Sequence, residues 1–132
     1  VKDNRVLIDT SVWIDYFKGK DGPFAEKVNK ALTSSVVCVP KVVIAELIQG
    51  AKSEKEIAVI GEFFDAFNII DQTEDTWKIA GELSFSMKRK CLTISLVDCY
   101  IAVIADKNRC RIFTLDEHFK KIKQFLKIDL IN

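Results

Sequence analysis

A chain of 132 residues that is 48% hydrophobic and 30% charged is sized for one core, and a single domain over 1–132 is expected. Its net charge of +1 supplies no global field drawing it to nucleic acid or membrane, so any RNA contact must come from local patches. No stretch approaches the roughly 20 apolar residues of a membrane helix, residues 1–5 (VKDNR) are too polar for a signal peptide, and four cysteines with one histidine have neither zinc-site spacing nor a disulfide framework, so a reducing, cytoplasmic setting is expected.

In chain order, RVLI at 5–8 predicts a short apolar strand, and Asp9, Thr10 and Ser11 offer N-cap chemistry for a helix carrying Val12, Trp13, Tyr16 and Phe17 on one side. Residues 19–23 (GKDGP) end it as a loop. Phe24, Val28 and Leu32 mark a second helix, and VVCV at 36–39 a second strand. Pro40 suits the first turn of a helix over about 41–51. Ser53 and Glu56 form a capping box before a helix with Ile57, Ile60, Phe64 and Phe67 at helical spacing. Residues 68–70 are a strand candidate, Thr73 opens a helix in which Trp77, Ala80, Leu83 and Met87 share a face, and 92–94 reads as a weak extended piece. Ser95 with Asp98 is another capping box, starting a helix over 96–106 that is apolar nearly all round and should be buried. IFTL at 112–115 reads as a strand ending at Asp116, Phe119 and Ile122 lie on a short helix, and 126–131 could form an edge strand. Short apolar strands separated by helices predict a three-layer α/β/α sandwich around a mainly parallel sheet of four or five strands. Without a G-x-G-x-x-G motif or P-loop, no nucleotide cofactor is expected.

Four acids interrupt this apolar frame. Asp9 and Asp116 follow strands, where open parallel sheets place ligands, Asp98 lies in the first turn of the buried helix, and Glu46 lies inside its helix. Asp9, Asp98 and Asp116 could each simply cap a helix. Glu46 resists that account, being the only charge between Lys41 and Lys52, and a buried carboxylate needs a partner or must lose its charge. If the four converge, like charges at about 4.5 Å repel by roughly 4 kcal/mol at an effective dielectric of 20, which a cation relieves. Hard oxygen ligands favour Mg²⁺ or Mn²⁺, and the matching chemistry is metal-assisted hydrolysis of a phosphodiester. Thr10, Ser11 and Thr114 could hydrogen-bond the ligands or their waters, or simply cap helices and fill a strand.

The stretches VLIDTSVWIDYF, VVIAELIQGA, ISLVDCYIAVIA and IFTLDEHF, in that order, resemble a PIN domain, particularly the VapC-type toxins of bacterial and archaeal toxin–antitoxin pairs. The resemblance spans nearly the whole chain. It implies an Mg²⁺- or Mn²⁺-dependent endoribonuclease whose acidic, metal-holding site is Asp9, Glu46, Asp98 and Asp116. It further implies a homodimer, inhibited by a small antitoxin whose tail occupies the active-site groove. For RNA phosphates the candidates are Lys88, Arg89 and Lys90, then Lys107, Arg109 and Arg111, then Lys120, Lys121 and Lys123. His118 is expected on a helix surface, and Trp13, Tyr16 and Phe17 in the core or a dimer seam. The rival readings are a phosphatase of haloacid-dehalogenase type, which wants an Asp where Ser11 stands, and a non-catalytic α/β interaction domain whose acids are caps.

Overall fold

Val6, Leu7 and Ile8 are each no more than 1% exposed. Side chains alternate between the faces of a strand, so both faces of the sheet must be covered here. The computed structural model describes residues 4–19 and 22–131; Lys20 and Asp21, in the loop expected at 19–23, and residues 1–3 lie outside them. β1 (Arg5–Ile8) is central, followed by α1 (Thr10–Lys18), α2 (Ala25–Ser34), β2 (Val36–Pro40), α3 (Lys41–Gln49), α4 (Glu54–Phe64), β3 (Asn68–Ile70), α5 (Thr76–Arg89), α6 (Leu96–Lys107), β4 (Arg111–Phe113), α7 (His118–Ile122) and β5 (Leu130–Ile131). The five strands form one sheet in the order β3-β2-β1-β4-β5, every pair parallel. The expected α/β sandwich is the observed fold.

This strand order positions the site. The chain winds outward from β1 through β2 to β3, then returns to β1's other side with β4. The switch point lies between β1 and β4, and the crevice beyond their carboxyl ends is where such sheets place ligands. Asp9 is the first residue past β1, and its N–H donates to the Phe113 carbonyl at the end of β4 (2.9 Å). The loop after β4 is thereby held against the start of α1.

The helix that delivers Asp98 is buried as its composition predicts: residues 99–105 of α6 are each at most 2% exposed. Ser95 Oγ accepts from the Asp98 N–H (3.1 Å), which fixes the helix start. Ser53 Oγ likewise accepts from the Glu56 N–H, while Glu56 Oε2 reaches the Lys52 N–H rather than that of Ser53. Trp13, fully buried, packs edge-on to Phe63, Phe64 and Phe67 and stacks on Phe17, so α1 and α4 share an aromatic core.

Several boundaries differ from the sequence expectation. α5 begins at Thr76 rather than Thr73, because the Thr73 N–H and hydroxyl bond the buried Thr76 hydroxyl and form a turn instead. Trp77 leaves the expected inward face and is 42% exposed, stacking on Tyr100 at 4.1 Å. Residues 92–94 are a loop rather than an extended piece. β4 ends at Phe113 because Thr114 turns into the site, and the edge strand is only Leu130–Ile131.

The loop at 92–94 has a local cause. Cys91 adopts φ 62° after α5, and the Leu92 N–H bonds the Met87 carbonyl (2.9 Å), a C-terminal motif that glycine fills most easily. A side chain in this region costs roughly 1–2 kcal/mol, partly offset by the extra freedom glycine adds to the unfolded chain. Cys91→Gly is therefore expected to stabilise the fold by about 0.5–1 kcal/mol, read as a raised urea midpoint at unchanged m-value.

Candidate active site

Asp9 occupies the N-cap position of α1 yet makes no side-chain capping bond. The residue is 5% exposed, and Oδ2 accepts from Thr114 Oγ1 (2.8 Å) and Ser11 Oγ (2.9 Å). Both hydroxyls act twice: Thr114 Oγ1 also accepts from the Asp116 N–H (3.0 Å) and Ser11 Oγ from the Leu115 N–H (3.1 Å). They tie the start of α1 to the turn after β4 and fix Asp9 and Asp116 relative to one another.

Glu46 lies on α3, half-buried, with Oε1 accepting from Thr10 Oγ1 (2.8 Å). Burial pushes its carboxyl above the ordinary value, and the charges of Asp9 and Asp98 push it further against the Thr10 bond. Asp9 is raised chiefly by burial, with a smaller push from Asp98, against the bonds from Thr114 and Ser11. Asp9 and Glu46 therefore both feel the charge of Asp98, at the start of α6, and Glu46 feels that of Asp9.

Asp116 closes the group. Its Oδ1 accepts from the His118 N–H (2.9 Å), a local turn that suits an aspartate just before a helix, while the N-cap position of α7 itself falls to Glu117. The same oxygen lies 3.3 Å from His118 Nδ1, which is also 3.2 Å from Asp98 Oδ2. A continuous polar chain runs from Asp9 through Thr114, Asp116 and His118 to Asp98.

His118 begins α7 with its side chain partly exposed, as expected of a helix-surface residue, and it also stands between two of the acids, which the sequence does not indicate. The turn at Asp116 starts α7 so close to the first turn of α6 that position 118 faces Asp98. The available signal was a sole histidine two residues beyond an acid already singled out.

The basic candidates divide by position. Lys88, Arg89 and Lys90 end α5 and are exposed. The loop after them leads into the first turn of α6, so they share an end of the molecule with the acids. Arg109 and Arg111 follow the far end of α6, about 18 Å away along twelve helical residues. Arg111 donates to Asn4 Oδ1 (3.3 Å), and both arginines line a separate cleft with Asp106 and Asp129 rather than the acidic crevice. Lys107 pairs with Asp75 (2.9 Å) and Lys120 with Glu117 (3.0 Å).

The donor set fits a hard divalent cation. It consists of carboxylate oxygens with one imidazole nitrogen, and one ligand atom each from Asp98, Asp116 and His118 lie within 4.8 Å of one another. Two buried or half-buried carboxyls held above their ordinary values are what an acidic pocket shows before a cation neutralises it.

A parallel α/β sandwich with acids gathered at its switch point defines a class of protein with an acidic crevice at the carboxyl ends of its strands. Residues 6–124 match the PIN domain family, and the chain belongs to that family. Ribonuclease VapC1 of Methanocaldococcus jannaschii is 29% identical over 129 residues, covering 96% of this chain and 88% of that protein. Ribonuclease VapC11 of Mycobacterium tuberculosis is 24% identical over 131 residues, covering 93% and 95%. In fold, the chain resembles VapBC2 from Rickettsia felis bound to a promoter DNA fragment, with a TM-score of 0.79 at 20% identity over 97% of this chain and 98% of that one. It also resembles VapBC-1 from nontypeable Haemophilus influenzae, with a TM-score of 0.76 at 21% identity over 96% and 97%.

Proposed function

We propose that this protein is a metal-dependent endoribonuclease, the toxin of a toxin–antitoxin pair, and that Asp9, Glu46, Asp98 and Asp116 hold Mg²⁺ or Mn²⁺. The observation that carries the reading is geometric: Thr10 holds Glu46, Ser11 and Thr114 hold Asp9, and Asp98 and Asp116 meet across His118, so acids far apart in sequence are held at one crevice. The relatives named ribonucleases support the choice of substrate. A bound divalent ion would supply Lewis acidity toward a phosphate and activate water. The chain's own part is to aim the carboxylates: Thr10 orients Glu46, while Ser11 and Thr114 orient Asp9 and the turn bearing Asp116. In this reading Lys88, Arg89 and Lys90 would supply the positive charge that meets RNA phosphates.

The partners in this reading are an antitoxin and a second copy of the chain. Exposed apolar side chains support both: Ile14, Phe17 and Val59 on α1 and α4, and Phe85 and Leu96 on α5 and α6. The phosphatase alternative lacks its second acid, since Ser11 bridges Asp9 and the Leu115 N–H. The interaction-domain alternative leaves the mutual repulsion of the acids unexplained.

The test is cleavage of a mixed-sequence RNA by the purified, tag-free chain. Cutting is expected with Mg²⁺ or Mn²⁺ and is expected to stop on chelation. Cleavage indifferent to chelator, or no cleavage together with no thermal stabilisation by millimolar Mn²⁺, would overturn the proposal.

A further inference from the structure

We infer that His118 is itself a ligand of the divalent ion, through Nδ1, and that it makes the site prefer a first-row transition ion such as Mn²⁺ over Mg²⁺. The inference rests on the proposed metal site and adds a nitrogen to its four carboxylates. Nδ1 lies 3.2 Å from Asp98 Oδ2 and 3.3 Å from Asp116 Oδ1. Ligand atoms at neighbouring corners of an octahedron with bonds of about 2.1 Å are about 3.0 Å apart, so the imidazole nitrogen already sits near the spacing that sharing one ion with both acids requires.

The local structure holds it there. The His118 N–H is fixed to Asp116 Oδ1, and Phe119, the next residue, is fully buried, which anchors the start of α7. The His118 side chain keeps 44% of its area exposed, so Nε2 can carry the proton toward water while the Nδ1 lone pair turns inward. Without the ion, a ring N–H shared between the two carboxylates accounts for the same two distances; with it, the same nitrogen and both acids can turn to one cation, and nitrogen coupling to bound Mn²⁺ tells the two apart.

The selectivity follows from ligand chemistry. Carboxylates alone suit Mg²⁺ and Mn²⁺ alike, while imidazole favours transition ions, whose affinities for nitrogen exceed that of Mg²⁺. Losing even an outer partner of a metal ligand costs about 10- to 100-fold in affinity. His118→Ala is therefore expected to weaken Mn²⁺ binding at least about tenfold and to leave Mg²⁺ binding nearly unchanged.

The deciding measurement is pulsed electron paramagnetic resonance of Mn²⁺ bound to the full, tag-free chain, alongside calorimetric titration with Mn²⁺ and Mg²⁺. His118 is the sequence's one histidine, so an imidazole-nitrogen coupling has a single possible source. Nitrogen coupling in the wild type, lost in His118→Ala together with the Mn²⁺ preference, is the expected result. His118→Gln serves as a second variant, with circular dichroism reporting the fold of both. If Mn²⁺ binds in a way that depends on Asp98 but shows no imidazole coupling and equal affinity in the variants, the inference is overturned and the proposed acidic site stands. If Mn²⁺ does not bind the wild type at all, both are overturned.

Discussion

Asp98→Asn is expected to lower RNA cleavage by at least about 100-fold, a loss in the range set by removing a charge that a catalytic ion depends on, without unfolding the protein. The substitution keeps the shape of the side chain, and the fold's hold on this position comes from the backbone. Ser95 Oγ bonds the Asp98 N–H, not its carboxylate, so the cap of α6 survives. The buried body of α6 from Cys99 onward is untouched. The lost charge also withdraws one of the repulsions that raise Asp9 and Glu46, so the variant should melt no lower than the wild type without metal. Cleavage rates with Mn²⁺, paired with thermal melts, separate the two effects. Unchanged cleavage would assign the activity to a contaminant, and a collapsed melting curve would make Asp98 a structural residue.

Where local chemistry and burial agree, the elements were readable from the residues alone. RVLI and VVCV are unbroken aliphatic runs that only a doubly covered sheet accommodates, and α6 advertised its burial by lacking a polar face. Asp9 and Glu46 were conspicuous because each interrupts such a run. What sequence could not supply was the direction of side chains in turns. By sequence Thr114 reads equally as strand filler or as a partner of the acids, and only the turn after β4 decides between them, by bringing its hydroxyl to both Asp9 and the Asp116 N–H. Arg109 and Arg111 are close in sequence to Asp98 and Asp116, but α6 carries the chain away from the crevice and β4 brings it back. The arginines fall at the turn of that excursion, at the opposite end. The contact of His118 with Asp98 is hidden for a related reason: helical periodicity predicts which face a residue occupies, not that the neighbouring helix start lies across from it.

Glu46→Gln tests the electrostatics directly, because its effect should change sign with metal. The carboxyl of Glu46 is raised above its ordinary 4.5 and that of Asp9 above 3.8. In the window between the ordinary and the raised value, the folded state binds more protons than the unfolded one, so stability falls as pH rises. The wild-type, metal-free protein should therefore be penalised fully only above the raised values and not at all well below the ordinary ones, at about pH 3 and lower, where both states are protonated. Asp71 and Asp75 are shifted the opposite way, by backbone and lysine contacts, so the pH profile of one protein alone mixes both signs. The difference between Glu46→Gln and wild type isolates the Glu46 contribution. Glutamine keeps an oxygen for the Thr10 hydroxyl and removes the charge facing Asp9 and Asp98. Near neutral pH it is expected to stabilise the metal-free protein by on the order of 1 kcal/mol, the size of one like-charge contact at a partly solvated site, or about 3–5 °C in Tm for a chain of this length. That advantage should shrink toward zero as the pH is lowered to about 3. Saturating Mn²⁺ should reverse the order, since a ligand at 100 times its Kd adds about 2.7 kcal/mol to a wild type that binds it well and less to a variant missing one carboxylate. A Glu46→Gln protein that melts below wild type without metal at neutral pH, or one that gains as much as wild type from Mn²⁺, would place Glu46 outside the ion's reach and leave Asp9, Asp98 and Asp116 to hold it.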